Sequence, residues 1–134
     1  MAVAQKASKA INISLWIVQT LLAVTFIWSG FMKIFQPGNL PFPWIRDNAN
    51  LALITGAIDL LAGIGIILPA LFRIRPQLTI YAAYGAAILM IAAIIFHISR
   101  GETKDIGVNI LITILAAFIA WGRQKKAPLR SKEN

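Results

Sequence analysis

Four polar side chains stand inside or at the ends of long apolar segments, where such groups are rare. Asp59 lies within residues 54–69, Lys33 and His97 end two other segments, and Asn109 lies near the start of a fourth. On insertion scales a charged residue at the centre of a bilayer costs about 2.5 to 3.5 kcal/mol, so Asp59 is expected to face the protein interior. As a pair, Asp59 and His97 could relay protons, which makes them the candidate catalytic residues.

Each of these residues also has an ordinary structural interpretation. Lys33 could extend its ammonium group to lipid headgroups, and His97 could be a histidine at the membrane interface. Asn109 could hydrogen-bond between helices. Asp59 could form a purely structural ion pair, with either Lys33 or His97 as its partner. The sequence leaves the choice between these two partners open.

The composition is that of a membrane protein. Hydrophobic residues make up 58% of the 134 residues and charged residues 13%, which is about half the usual share in soluble proteins. There is no cysteine and only one histidine. This excludes disulfides, thiolate metal sites and iron–sulfur ligation, and one copy cannot supply a bis-histidine haem or a three-histidine metal site. No metal site is predicted.

Four apolar segments are long enough to cross a bilayer as helices. The predicted helices cover residues 11–32, 51–72, 78–98 and 106–121, followed by a basic tail over residues 122–134. The sequence therefore predicts an all-α fold, a four-transmembrane-helix bundle that forms a single membrane domain over residues 1–134. Gly56 and Gly63 are seven residues apart on the second helix, so this face allows close helix contact.

Basic residues are unequally divided between the two ends of this bundle. Most of them lie at the end that holds both termini, including Arg73, Arg75 and Arg123. The positive-inside rule then predicts that both termini are cytoplasmic. The expected location of the protein is the inner cell membrane. The net charge of +8 is assigned to this topology and to anionic lipid headgroups. No pattern typical of nucleic-acid binding is present.

The predicted topology places the four polar residues in the same half of the membrane. Asp59 lies about eight residues into its helix from the outer side, roughly 12 Å deep. Lys33 and His97 end their helices on that side, and Asn109 lies one turn into the fourth helix from it. We therefore expect a polar cluster or ligand pocket formed by Lys33, Asp59, His97 and Asn109.

Several short motifs carry a family resemblance. They are W-x-x-Q-x-L-L-A over residues 16–23, S-G-x-x-K over residues 29–33, G-A-I-D-L-L-A-G-I-G-I-I-L-P over residues 56–69 and H-x-x-R-G-E over residues 97–102. In their order and spacing they resemble the DoxX-like family of small four-helix membrane proteins. That family usually has glutamate at the position of Asp59. The shorter acid keeps the charge and changes its reach.

The resemblance implies an accessory subunit of a membrane redox system that could contact a quinone near Asp59 and His97. The alternative is a non-enzymatic membrane scaffold or assembly factor, since relatives assist the assembly of other proteins. A third hypothesis is a small proton-coupled transporter that uses one buried acid. Beyond lipid, the expected partner is another protein or a second copy of this chain. Whether the protein is an enzyme stays open.

Overall fold

The computed structural model describes residues 2–40 and 43–129, and these residues fold into α-helices joined by short turns. The helices are α1 (Ala2–Phe35), α2 (Pro43–Asp47), α3 (Ala49–Phe72), α4 (Gln77–Ser99) and α5 (Gly107–Trp121). Four candidate membrane spans follow from their length and apolar composition: Lys9–Phe35, Ala49–Phe72, Gln77–Ser99 and Gly107–Lys126. The predicted all-α fold with four transmembrane helices is confirmed. The orientation of the termini stays a prediction.

The last span continues beyond the predicted helix end. The chain does not leave the bundle at Trp121 but goes on through a π-helical segment, Gly122–Lys126. Arg123, which the sequence places in a basic tail, is buried. Residues 130–134 of the predicted tail lie outside the described residues. A lysine- and arginine-rich end therefore does not mark the end of the packed structure here.

The four long helices form a closed ring of neighbours. The most extensive contacts are between α1 and α3, between α4 and α5, and between α3 and α4, and a smaller contact between α5 and α1 closes the ring. Large side chains such as Leu22, Phe26, Ile66 and Ile119 fill the core, together with alanines. Many leucines and isoleucines point outward, as expected where lipid replaces water as the solvent.

Glycines bring α1 and α3 into close contact. A Cβ atom on Gly30 would lie 2.5 Å from the carbonyl oxygen of Gly56, and one on Gly63 would lie 2.9 Å from the carbonyl oxygen of Ala23. A Cβ atom on Gly56 would lie 3.2 Å from the carbonyl oxygen of Gly30. The predicted close contact of the Gly56 and Gly63 face is confirmed, and α1 is the neighbour.

Pro69 lies inside α3, where it interrupts the hydrogen bonding of the helix. Proline has no N–H, so the carbonyl of Gly65, four residues earlier, loses its usual donor. The hydroxyl group of Thr79 on α4 lies 3.3 Å from this carbonyl oxygen and 3.2 Å from that of Ile66. The buried Thr79 therefore satisfies the backbone that Pro69 leaves open, and joins α4 to α3.

Candidate functional site

Lys33 and Asp59 form an ion pair between α1 and α3. The Nζ atom of Lys33 lies 2.9 Å from Oδ2 of Asp59, whose side chain is 3% exposed, against 12% for that of Lys33. Ser29, one turn before Lys33, donates a hydrogen bond of 3.1 Å to the same carboxylate oxygen. Lys33 also donates to Oγ1 of Thr55 at 3.4 Å. The prediction that Asp59 faces inward beside a polar partner is confirmed, and the partner is Lys33.

The short helix α2 covers this ion pair. Its Trp44 ring lies 5.3 Å from the Lys33 ammonium nitrogen, within the range of a cation–π interaction. The next residue, Ile45, is buried with Leu40 and Ala52 in a small apolar cluster that anchors the connection to α3. Lys33 is thus held between a carboxylate on one helix and an aromatic face on the covering segment.

His97 belongs to a second, separate polar group. Its Nδ1 atom lies 2.9 Å from Oε1 of Glu102, and Nε of Arg100 donates to the same oxygen at 3.2 Å. The hydrogen bond from His97 and the neighbouring Arg100 guanidinium hold the pKa of Glu102 below its usual range. Arg100 also reaches Asp47 of α2 at 3.3 Å, and this hydrogen bond raises the pKa of Arg100.

The expected cluster of four residues stays a prediction, and the structure shows a direct contact between two of its members, Lys33 and Asp59. Among the described residues, neither His97 nor Asn109 hydrogen-bonds to Lys33 or Asp59. The side-chain amide of Asn109 instead lies 3.7 Å from Sδ of Met90 on α4. For His97 the reason is local: Gly101 takes a left-handed conformation with φ of 75°, which brings Glu102 back over the end of α4. There the Glu102 N–H donates to the His97 carbonyl at 2.8 Å.

A third polar group lies at the opposite end of the bundle, and the sequence did not predict it. Arg123 donates through Nε to Oε1 of Gln19 at 2.7 Å, and through Nη1 to Oδ1 of Asn12 at 2.7 Å and to the Ala127 carbonyl at 2.8 Å. Its guanidinium lies 5.2 Å from the ring of Trp16. The spacing of residues 12, 16 and 19 places them on one face of α1, and that polar and aromatic face was the available signal.

The model of the DoxX-like family matches residues 17–119. The chain belongs to the DoxX-like family. No curated protein and no solved structure matches it. The DoxX-like match contains Lys33, Asp59, His97 and Asn109, and it ends before Arg123.

Within this DoxX-like chain, the Lys33–Asp59 pair is the group best suited to chemistry inside the membrane. It combines a proton donor of α1 and a carboxylate of α3 with a neighbouring aromatic ring of α2. Across the described ranges, no three histidine, aspartate or glutamate side chains lie close enough to hold a metal ion. His97 lies in the last turn of α4, at the end of the span Gln77–Ser99, and its partner Glu102 follows in the turn after the helix.

Proposed function

We propose that this DoxX-like protein is an accessory subunit of a membrane redox system and that it holds a quinone headgroup at the Lys33–Asp59 pair. The observation that carries the proposal is the ammonium group of Lys33, which is kept within a membrane-spanning helix by a buried carboxylate while its side chain stays 12% exposed. A buried carboxylate inside a span is costly in lipid, which favours a functional role for the pair.

The residues around Lys33 fit a quinone. Lysine has three N–H donors, and Asp59 and Thr55 accept two of them. The third has no oxygen acceptor among the described residues and is suited to a quinone carbonyl. The Trp44 ring supplies an aromatic face beside it. A bound quinone would supply the redox chemistry, while Lys33 orients its carbonyl and Asp59 holds the Lys33 side chain in position.

The electrons would come from a partner protein, because this chain has no cysteine and one histidine with which to ligate a redox centre. The protein would therefore act as an accessory subunit and not as a complete oxidoreductase. The candidate role of His97 in proton relay loses support, since its partner is Glu102 in a turn.

A membrane scaffold or assembly factor is the second candidate, and one observation favours it. The Lys33–Asp59 pair joins α1 to α3 at the glycine contact and is covered by Trp44. This arrangement is also what a purely structural pair that holds the helices together would need. In that case a partner protein would co-purify without quinone. The two candidates therefore differ in whether the isolated protein binds quinone.

Quinone binding is expected to depend on Lys33. In detergent solution, a short-chain quinone analogue should bind the wild-type protein and bind Lys33→Gln about tenfold more weakly, since one charge-assisted hydrogen bond is lost. Isothermal titration calorimetry measures the difference. Lys104→Gln removes the same charge from an exposed position and should bind as wild type.

Trp44→Leu keeps the ion pair and removes the aromatic face, so it tests the same site if Lys33→Gln fails to fold. It too should bind the quinone analogue more weakly. Unchanged binding by folded variants at both positions, or no binding by the wild-type protein, would contradict the quinone site and leave the scaffold role.

We also infer that both termini face the cytoplasm of the cell that holds the protein in its inner membrane, with the basic residues near anionic headgroups. The asymmetry of lysine and arginine between the two ends supports this. A fluorescent protein fused after Asn134 should fold and fluoresce, and alkaline phosphatase inserted between α1 and α2 should be active. Phosphatase activity at the C-terminus instead would reverse the orientation.

A further inference from the structure

Arg123 is a buried positive charge, and its hydrogen-bond partners among the described residues are neutral groups. The residue is 3% exposed, and its hydrogen-bond acceptors are two side-chain amide oxygens and one backbone carbonyl. Its Nη2 atom is buried and has no hydrogen-bond partner within the described part of the chain. Buried charges are normally paired with an opposite charge, because desolvation is otherwise uncompensated. Within the described ranges the guanidinium therefore has no counter-ion, and the two N–H groups of Nη2 have no acceptor.

A cavity of about 300 Å³ adjoins this arginine. Its wall is formed by Arg123 together with Pro76, Gln77, Ile80, Gln124 and Leu129, and none of these side chains is acidic. The 23-residue helix α4 begins at Gln77 on this wall. The positive end of a helix dipole favours an anion, and so does the arginine. Two independent features of the cavity thus favour the same sign of ligand.

The position of the cavity indicates where the anion comes from. Arg123 lies near the end of the last candidate span, Gly107–Lys126, at the end of the bundle where the chain turns from α3 to α4. This is the depth at which phospholipid headgroups meet the hydrocarbon layer. The wall combines apolar Ile80 and Leu129 with the amides of Gln77 and Gln124, which suits a headgroup attached to an acyl chain.

We propose that this cavity binds the phosphate group of an anionic phospholipid, with Arg123 as its counter-ion. The lipid phosphate supplies the negative charge that the described residues do not offer to the buried guanidinium, and oxygen acceptors for the two Nη2 donors. The site is remote from the Lys33–Asp59 pair in the fold and does not depend on quinone binding.

Native mass spectrometry of the detergent-solubilised full chain tests the site. The protein is mixed with phosphatidylglycerol and phosphatidylcholine, which both contain a phosphate group and differ in net charge. The wild-type protein should retain phosphatidylglycerol preferentially. Arg123→Gln should weaken this retention roughly tenfold, the change expected from the loss of one charge-assisted hydrogen bond. Lys125→Gln removes the same charge from an exposed neighbour in the same segment and should leave the preference unchanged.

A second variant leaves Arg123 in place. Ile80→Trp fills the cavity and should also abolish the preference, so the proposal can be tested even if Arg123→Gln does not fold. An equal loss of preference in Lys125→Gln, or a preference that persists in both Arg123→Gln and Ile80→Trp, would overturn the site. If inorganic phosphate displaces phosphatidylglycerol from the wild-type protein, the ligand is free phosphate and the lipid assignment is wrong.

Discussion

Asp59→Leu is expected to lower the free energy of unfolding of the bundle by about 3 kcal/mol, near the lower end of the range for breaking a buried ion pair. The substitution leaves the Lys33 ammonium beside the apolar side chain that replaces its carboxylate. The lower end applies because the Lys33 side chain keeps some exposure. Reversible unfolding in mixed micelles of detergent and dodecyl sulfate measures the change.

Two further variants separate charge from shape. Asp59→Asn keeps an oxygen acceptor for Ser29 and Lys33, so it should be milder than Asp59→Leu. The double variant Lys33→Met, Asp59→Leu removes both charges, and its stability should return most of the way to wild type. If Asp59→Leu alone unfolds like the wild type, the pair contributes nothing to the fold.

Gly30→Ala is expected to destabilise the protein by about 1 to 3 kcal/mol, the usual range for adding atoms to a packed interface. The new Cβ atom would lie 2.5 Å from the Gly56 carbonyl oxygen and 2.9 Å from the Leu60 backbone nitrogen. Both contacts are with the backbone, which can give way only if α1 moves away from α3. The same micelle unfolding measurement detects the loss.

Gly85→Ala is the matched control in α4. A Cβ atom there meets no other atom within 4 Å, so the substitution should be neutral or stabilise the helix by about 0.5 to 1 kcal/mol. Opposite signs at the two glycines would show that close helix contact, and not helix propensity, decides the result at Gly30. A stabilising effect at both positions would argue against the close contact.

The sequence predicted the helices and the inward direction of Asp59, because both follow from the cost of polar groups in lipid. The number of apolar segments long enough to cross the bilayer determines the number of spans. An acidic side chain inside a span normally faces the bundle interior and pairs with another group. The close contact of the Gly56 and Gly63 face with a neighbouring helix was also predicted from the spacing of these two residues.

The grouping of polar residues was less predictable. Depth along the membrane normal can be read from the sequence, but the direction in which a side chain points around its helix depends on how the helices pack. Lys33, His97 and Asn109 are predicted in the same half of the membrane as Asp59, yet of these three only Lys33 hydrogen-bonds to Asp59 within the described part of the chain. Arg123 was missed because a basic helix end looks like a tail unless Asn12 and Gln19 are recognised as its acceptors.

The proline in α3 has a consequence for the order of insertion during synthesis. When α3 reaches the membrane, the Gly65 carbonyl has no donor, because Thr79 belongs to a helix that follows it in the chain. A short turn joins the two helices, so insertion of α3 and α4 together as a hairpin avoids leaving this carbonyl unsatisfied in hydrocarbon. For Asp59 the order is reversed, since Lys33 on α1 has already been inserted. During synthesis Lys33 thus enters the membrane before Asp59, and Pro69 enters before Thr79. Helix α3 therefore needs α1 to be inserted before it and α4 to be inserted with it.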